Sequence, residues 1–145
     1  MIASMPLGLS VVKWTPGPLS VAPRKMANAV PVIAALARGP WATVQHAVHA
    51  LMTEVDVLYV ATGSVYGSSG PSERKAGSVA VPSALFKALY SPEQGWSAAY
   101  VCGNTDHPTC QVVNLATLQS VAGVDVFPAL PDGIKHAKPP ALPPV

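Results

Sequence analysis

The sequence predicts an α+β fold in which a mixed or antiparallel sheet is flanked by helices. Two observations lead to this fold class. A helical pattern of apolar residues over 40–54 is followed by several short β-rich runs, and a second helical pattern comes later, over 115–121. Helices that flank a series of strands, instead of alternating with them one by one, are typical of α+β domains.

The stronger helical pattern begins at Pro40. Its apolar residues recur at spacings of three and four, at Trp41, Val44, Val48, Leu51 and Met52. That period places them on one face of a helix. Proline suits the first helical position, because the N–H that it lacks has no partner within the helix there. We therefore expect a helix over 40–54.

Strand signals follow this helix. The run 56–63 is rich in β-branched and aromatic residues and stops at a glycine, which predicts a buried strand. Beyond a polar loop at 67–77, the further strand candidates are 78–81, 85–90 and 97–102. A second helix is expected over 115–121, with Gly123 as the residue that ends it.

Composition narrows the class of protein. Half of the 145 residues are hydrophobic and only 11% are charged, against about 25% in ordinary globular domains. Such a chain has too much apolar surface to stay disordered, and its length suits one domain. The net charge of +2 indicates neither a strongly basic surface for nucleic acid nor an acidic excess that would repel it.

Ten of the sixteen prolines lie within residues 1–26 or from Pro128 onward, and each proline fixes φ and removes a backbone donor. Residues 1–26 contain four prolines without a regular period, so we expect an irregular lead or the disrupted remnant of an ordered segment. Residues 136–145 end in Pro-Pro-Ala-Leu-Pro-Pro-Val, which predicts an extended, exposed proline-rich tail. No apolar run approaches the roughly 20 residues of a bilayer span, so we expect no membrane insertion.

Two cysteines, Cys102 and Cys110, lie eight residues apart across a turn-rich stretch. A local disulfide between them would favour an oxidising compartment. Two unpaired thiols are an equally open alternative, since the geometry that a disulfide needs cannot be read from the sequence. The N-terminus is apolar but has no preceding Lys or Arg and is interrupted by Pro6 and Gly8, so it is a poor signal peptide.

Six segments, in order along the chain, resemble the DNA/RNA non-specific endonuclease family, the ββα-metal nucleases. They are Ala27-Asn-Ala-Val-Pro31, Arg38-Gly-Pro-Trp-Ala42, Val57-Leu-Tyr-Val-Ala-Thr-Gly63, Val81-Pro-Ser-Ala-Leu-Phe-Lys-Ala88, Ala99-Tyr-Val-Cys-Gly-Asn104 and Leu118-Gln-Ser-Val-Ala-Gly-Val-Asp-Val-Phe-Pro128. The resemblance implies a nuclease-like domain over 27–135. It also implies DNA or RNA as the partner and leaves the location open, with a secreted or periplasmic one compatible.

The resemblance further implies hydrolysis of phosphodiesters with Mg²⁺. In the family, the histidine of an Asp-Arg-Gly-His motif is the general base and an asparagine holds the metal. The 145 residues contain no Asp-Arg-Gly-His, and Ala37 stands at the position of the metal-binding asparagine. We therefore interpret the chain as N-terminally truncated and degenerate, with a fold that is incomplete at the N-terminus.

The resemblance leaves a few candidate site residues on the first helix. Gln45 retains an oxygen that would reach a metal through water, and His49 is the one candidate for a replacement base. Arg38 and His49 are the expected nucleic-acid-binding residues, although such residues also suit an ordinary solvent-facing helix edge. We expect Lys87 to pack its stem and extend its ammonium into water, and Asn104 to form a turn.

Three functional hypotheses follow. The first is a nuclease-family protein that is inactive as this chain, because the histidine motif and the metal-binding asparagine are missing. The second retains activity, with His49 as base and Gln45 beside a carboxylate at the metal. The third is a non-catalytic module that uses the fold to bind nucleic acid or protein. An exposed sheet edge would favour self-association as a homo-oligomer.

Overall fold

A computed structural model describes residues 2–6, 10–14, 29–67, 75–76 and 79–145. The strands in these ranges are β1 (Ile2–Pro6), β2 (Ser10–Trp14), β3 (Ala29–Ile33), β4 (Leu58–Val65), β5 (Lys75–Ala76), β6 (Val79–Ala80), β7 (Ala84–Ser91), β8 (Trp96–Gly103) and β9 (Cys110–Val113). The helices are α1 (Ala34–Arg38), α2 (Pro40–Glu54), α3 (Leu115–Ala122) and α4 (Asp132–His136).

The central element is a five-stranded sheet in the order β2-β4-β7-β8-β9. All of its neighbouring strands are antiparallel. Two smaller pairs accompany it, β1 with β3 and β5 with β6. The predicted α+β class with an antiparallel sheet flanked by helices is confirmed.

The first face of the sheet packs against α1 and α2. Because side chains alternate along a strand, the same face collects every second residue of β4, β7 and β8. The buried residues of this first core are Val32, Leu36, Trp41, Val44, Ala47, Val48, Leu51, Val55, Leu58, Val60, Leu85, Leu89, Tyr100 and Cys102. The predicted helix over 40–54 is confirmed, with Pro40 at its start and its apolar face buried.

The opposite face packs against α3 and the segment that follows it. This second core contains Ala61, Val65, Phe86, Ala88, Ala99, Leu115, Leu118, Val126 and Phe127. Phe86 lies across from Gly63 in the sheet, and a Cβ at Gly63 would lie 2.5 Å from its ring. Only glycine therefore allows the Phe86 ring to approach β4 this closely.

The second predicted helix is also confirmed. The N–H of Thr117 donates to Oδ1 of Asn114 at 2.8 Å, which caps the first turn of α3. Gly123 adopts a left-handed conformation with φ of 72°, and its N–H donates to the carbonyl of Gln119 at 2.9 Å. This geometry ends α3 at Gly123, as the sequence predicts.

Residues 1–26, for which we expect an irregular lead or the disrupted remnant of an ordered segment, contain the strands β1 and β2. β1 pairs with β3 and β2 pairs with β4, and pairing with distant strands stabilises segments whose own pattern is weak. The other residues of that stretch, Asn28 and most of the loop at 67–77 lie outside the described residues. The structure also contains α1, β3, β9 and α4, which no clear sequence pattern predicts, and β5 lies within the predicted loop at 67–77.

The tail over 136–145, which we expect to be extended and exposed, lies partly against the domain. Leu142 packs against the first core, and the hydroxyl of Tyr100 donates to the carbonyl of Pro143 at 2.8 Å. Just before the tail, Nζ of Lys135 lies 2.7 Å from Oδ2 of Asp125. The C-terminal segment is thus held against the domain. In the part of the chain that the structure describes, no helix has the length and apolarity to cross a membrane.

Candidate functional site

The candidate residues predicted from the sequence lie at the corner between α1 and α2, on the first face of the sheet. α1 follows β3 directly, and Gly39 joins it to α2. Trp41 is only 1% exposed and fixes the first turn of α2 against the first core. The corner is therefore packed against the first core, and its candidate residues Arg38, Gln45 and His49 are exposed.

Ala37 occupies the position that the resemblance assigns to a metal-binding asparagine. Its side chain is partly buried and packs against the first core. A methyl group offers no lone pair, whereas Mg²⁺ is bound by oxygen ligands in near-octahedral geometry. This position of the corner therefore contributes apolar packing and no metal ligand.

Gln45 and His49 lie on α2 and are both exposed. Residues four apart on a helix are surface neighbours, so the fold brings these two candidates together. Arg38 is the last residue of α1 and is also exposed. Over the described ranges, no group of three or more His, Cys, Asp or Glu side chains is placed to hold a metal ion. The donor groups at this corner do not fit Mg²⁺.

Lys87 lies beneath the corner, on β7. Its Nζ is 5.6 Å from the centroid of the Trp41 ring, within the range of a cation–π contact. Burial lowers the pKa of the Lys87 ammonium, because a charged group loses hydration there. Lys87 is half-buried, and its ammonium lies near Trp41, whereas the sequence predicts that the ammonium extends into water. Lys87 of β7 thus contacts the first turn of α2 through Trp41.

Asn104 has a larger role than the turn predicted from the sequence. It is fully buried. Its Oδ1 accepts from the N–H of Ile33 at 2.8 Å, and its Nδ2 donates to the carbonyls of Pro31 at 3.2 Å and Pro82 at 2.9 Å. Its own N–H donates to the carbonyl of Ser83 at 2.9 Å. We call this set of bonds the Asn104 bracket.

The Asn104 bracket positions the candidate site. Ile33 is the last residue of β3, and α1 begins at the next residue. By holding Pro31 and Ile33 to the start of β7, the amide determines where α1 and hence the corner begin. The only sequence signal for this role is the Cys-Gly-Asn ending of the fifth family-like segment, which by itself suits a turn equally well.

Cys102 and Cys110 form a disulfide in the structure. They are direct neighbours across β8 and β9, so the bond joins the two strands and closes the loop 103–109. Of the two alternatives that the sequence leaves open, the structure contains the disulfide. The bond also holds the end of β8, from which Asn104 extends.

A family model described as DNA/RNA non-specific endonuclease matches residues 22–133. The match begins a few residues before the six family-like segments and ends shortly after them. A comparison with curated proteins gave no match. The family model spans well over half of the 145 residues and includes β3, the corner, the Asn104 bracket and most of the main sheet. The chain therefore belongs to the DNA/RNA non-specific endonuclease family.

Proposed function

We propose that this 145-residue chain binds nucleic acid weakly through the nuclease fold and does not hydrolyse it. The observation that carries the proposal is the methyl group of Ala37, which packs against the first core where the resemblance places a metal ligand. A metal in this chemistry polarises the phosphate and stabilises the negative charge that develops on it. Without that ligand, the chain would not hold the metal ion on which this reaction depends.

The second missing part is a general base. The sequence contains no Asp-Arg-Gly-His, so the base would have to be His49. This residue is exposed, and its ring makes no hydrogen bond to the described residues. An effective base is held within reach of the attacking water and is oriented by a third group. Among the described residues, none orients His49 in this way, which supports the inactive hypothesis over retained activity.

The exposed residues of the corner remain suited to binding nucleic acid. Arg38 carries a full positive charge, and His49 carries one when protonated. Each is suited to a phosphate contact. With a net charge of +2 and two candidate contacts, binding should be weak and salt-dependent, with a slope of log affinity against log salt of about −2.

The first experiment tests hydrolysis. Purified chain is incubated with plasmid DNA and with RNA, in Mg²⁺ or in chelator, beside the His49→Ala variant. The proposal predicts the same background cleavage in all of these conditions. His46→Ala is the matched control, because His46 is also an exposed histidine of α2. Mg²⁺-dependent cleavage that disappears in His49→Ala and persists in His46→Ala would refute the proposal.

The second experiment tests binding. Fluorescence anisotropy with labelled DNA and RNA oligonucleotides should show weak association that is lost with added salt. Arg38→Ala and His49→Ala should each lower the affinity roughly threefold to tenfold and flatten the salt slope. Lys138→Ala, which removes an exposed basic residue of the tail, is the control and should have little effect. Equal losses in all three variants would mean that charge alone, and not the corner, governs binding.

The disulfide adds a proposal about location. Disulfides persist in oxidising compartments and are rare in reducing ones. The bond between Cys102 and Cys110 therefore supports a secreted or periplasmic location. Alkylation of the native protein without reductant, followed by mass measurement, should add no label to either cysteine, and labelling of both would remove this support.

A further inference from the structure

Residues 138–145 of the tail are rich in proline, and proline restricts the backbone. The four prolines are Pro139, Pro140, Pro143 and Pro144. Each fixes its own φ at about −65°, and the residue before each one is confined to the extended or polyproline II region. Ala137, which precedes this stretch, has φ of −62° and ψ of 147°, close to polyproline II values. We therefore expect the stretch to form a polyproline II helix, with three residues per turn.

The burial of these residues repeats every three positions. Lys138, Ala141 and Pro144 are exposed, whereas the two residues between each of them are partly buried. A period of three is that of the polyproline II helix, so one ridge of the helix faces solvent and the other two face the domain. The residues that face the domain are Pro139, Pro140, Leu142 and Pro143. The tail therefore lies on the domain in the way that a bound polyproline II peptide would.

The surface that receives the tail combines an apolar contact with a hydrogen-bond donor. Leu142 packs against the first core, and the hydroxyl of Tyr100 donates to the carbonyl of Pro143 at 2.8 Å. A polyproline II helix makes no internal hydrogen bonds, so its carbonyls are free to accept from a partner. Tyrosine provides both an apolar ring and a polar tip. Grooves that recognise proline-rich peptides are lined by aromatic side chains of this kind.

The tail reaches this surface from the other face of the sheet. The hydroxyl of Ser97 donates to the carbonyl of Ile134, in α4, at 3.1 Å. Ser97 lies directly across from Tyr90, and Tyr90 packs against the second core. Leu142 packs against the first core instead. α4 thus holds one end of the tail on the second face, and the contacts at Leu142 and Tyr100 hold the other end on the first face.

We propose that the surface around Tyr100 is a binding site for proline-rich peptides, and that the tail occupies it as an internal ligand. The ligand class is a polyproline II segment with the pattern Pro-Pro-x-Leu-Pro-Pro, as at 139–144. A segment of another protein with this pattern can take the place of the tail. Exchange is feasible because Leu142 and Pro143 are only partly buried.

The peptide site lies on the same face of the sheet as the α1–α2 corner. Tyr100 is the direct cross-strand neighbour of Lys87, and the ammonium of Lys87 lies near Trp41, in the first turn of α2. A partner bound at Tyr100 would therefore lie on the same side of the domain as α2. This inference does not depend on whether the corner binds or hydrolyses nucleic acid.

The test uses the full chain and a fluorescently labelled peptide with the sequence of residues 138–145. Leu142→Asp in the full chain should release its own tail, because a carboxylate is costly to bury against an apolar core. The labelled peptide should then bind saturably, and at least tenfold more tightly than to the wild type. In the wild type, the attached tail competes at a high effective concentration. Fluorescence anisotropy measures both affinities.

Matched variants separate this site from non-specific binding. Ala141→Asp places the same charge on the neighbouring, exposed residue, so its tail should stay bound and the peptide should bind as weakly as to the wild type. A labelled peptide that carries Leu142→Asp should not bind the released chain. Adding Tyr100→Phe to the Leu142→Asp chain should weaken peptide binding roughly threefold to tenfold, because it removes the hydrogen bond to the peptide carbonyl.

Near-ultraviolet circular dichroism confirms that each variant is folded, and Leu142→Ser replaces Leu142→Asp if the charged variant is not. A folded, released chain that does not bind the labelled peptide would overturn the proposal. Equal affinities of the Leu142→Asp and Ala141→Asp chains would also overturn it, because the tail would then not occupy the site. Peptide binding that Tyr100→Phe leaves unchanged would place the peptide elsewhere and would contradict the assigned site.

Discussion

The Asn104 bracket holds Ile33 at the start of α1, and the α1–α2 corner lies at the other end of that helix. The polar groups of the two regions have different roles. At the corner, Gln45 and His49 are exposed, and Ala37 packs against the first core. In the bracket, one fully buried amide uses both of its donors and one acceptor on three backbone groups of the described chain.

The two regions therefore have different roles. The Asn104 bracket supports the candidate site, and the corner contains the side chains that would act in its chemistry. A buried amide is tolerated because its hydrogen bonds replace those to water, and the Asn104 bracket meets that demand. The corner that it positions supplies no oxygen ligand at Ala37. The chain thus retains the framework of the family fold, while the position that the resemblance assigns to a metal ligand is apolar. Variants of the two regions test this contrast, from the largest effect on stability to the smallest.

Asn104→Leu should have the largest effect, a loss of about 3 kcal/mol or more in the free energy of unfolding. Leucine has the same branched shape as asparagine but removes the hydrogen-bond partner of the N–H of Ile33 and of two proline carbonyls, in a buried or partly buried place. Each loss should cost roughly 1–3 kcal/mol. Urea denaturation measures the loss. Asp106→Ala, at an exposed position in the adjacent loop, is the control and should change stability by less than about 0.5 kcal/mol. A loss below about 1 kcal/mol in Asn104→Leu would mean that the bracket contributes little.

Tyr100→Phe should have an intermediate effect. It removes the hydrogen bond to the carbonyl of Pro143, at a cost of about 1 kcal/mol near neutral pH. Burial raises the pKa of Tyr100 above its usual value of about 10. The unfolded chain therefore releases this proton at a lower pH than the folded chain.

The pH dependence has a definite sign. The contribution of the Tyr100 hydroxyl is fully present below about pH 10 and declines as the pH rises through the raised pKa. The stability difference between wild type and Tyr100→Phe should therefore shrink above about pH 10. Urea denaturation at a series of pH values measures it. A difference that stays constant or grows up to about pH 11 would contradict the assignment of a raised pKa to Tyr100.

Gln45→Ala and His49→Ala should have the smallest effects, each within about 0.5 kcal/mol of wild type. Both side chains are exposed, and alanine favours the helix slightly. Trp41→Ala in the same helix is the contrasting variant, and it should cost about 3 kcal/mol or more because it opens a cavity in the first core. A large loss in His49→Ala would show that His49 has a structural partner and that the corner is not merely a solvent-facing edge.

The sequence predicts what depends on local patterns. The spacing of the apolar residues after Pro40 defines α2, and Gly123 marks the end of α3, since both signals lie within a few residues. Local patterns cannot predict the hydrogen-bond partners of Asn104, because these partners lie 71, 73 and 22 residues away in the sequence. β1 and β2 escape prediction for the same reason, because their strand structure depends on pairing with β3 and β4.

In the candidate site, too, residue identities can be read from the sequence, whereas contacts between distant segments cannot. The residue types at positions 37, 45 and 49 are enough by themselves to question a metal site. They do not reveal that Ala37 packs against the first core or that Lys87 lies over Trp41. Both facts depend on how α2 lies on the sheet, and that is a property of the whole fold.

Our proposal that the chain does not hydrolyse nucleic acid requires that the α1–α2 corner does not bind a divalent metal ion. Titration of the isotope-labelled full chain with Mn²⁺, observed by nuclear magnetic resonance, tests this directly, because a bound paramagnetic ion broadens the signals of nearby residues. We expect only weak, unsaturable broadening at exposed carboxylates such as Glu54 and Asp132. Saturable broadening centred on Ala37, Gln45 and His49, reversed by excess Mg²⁺, would contradict the proposal.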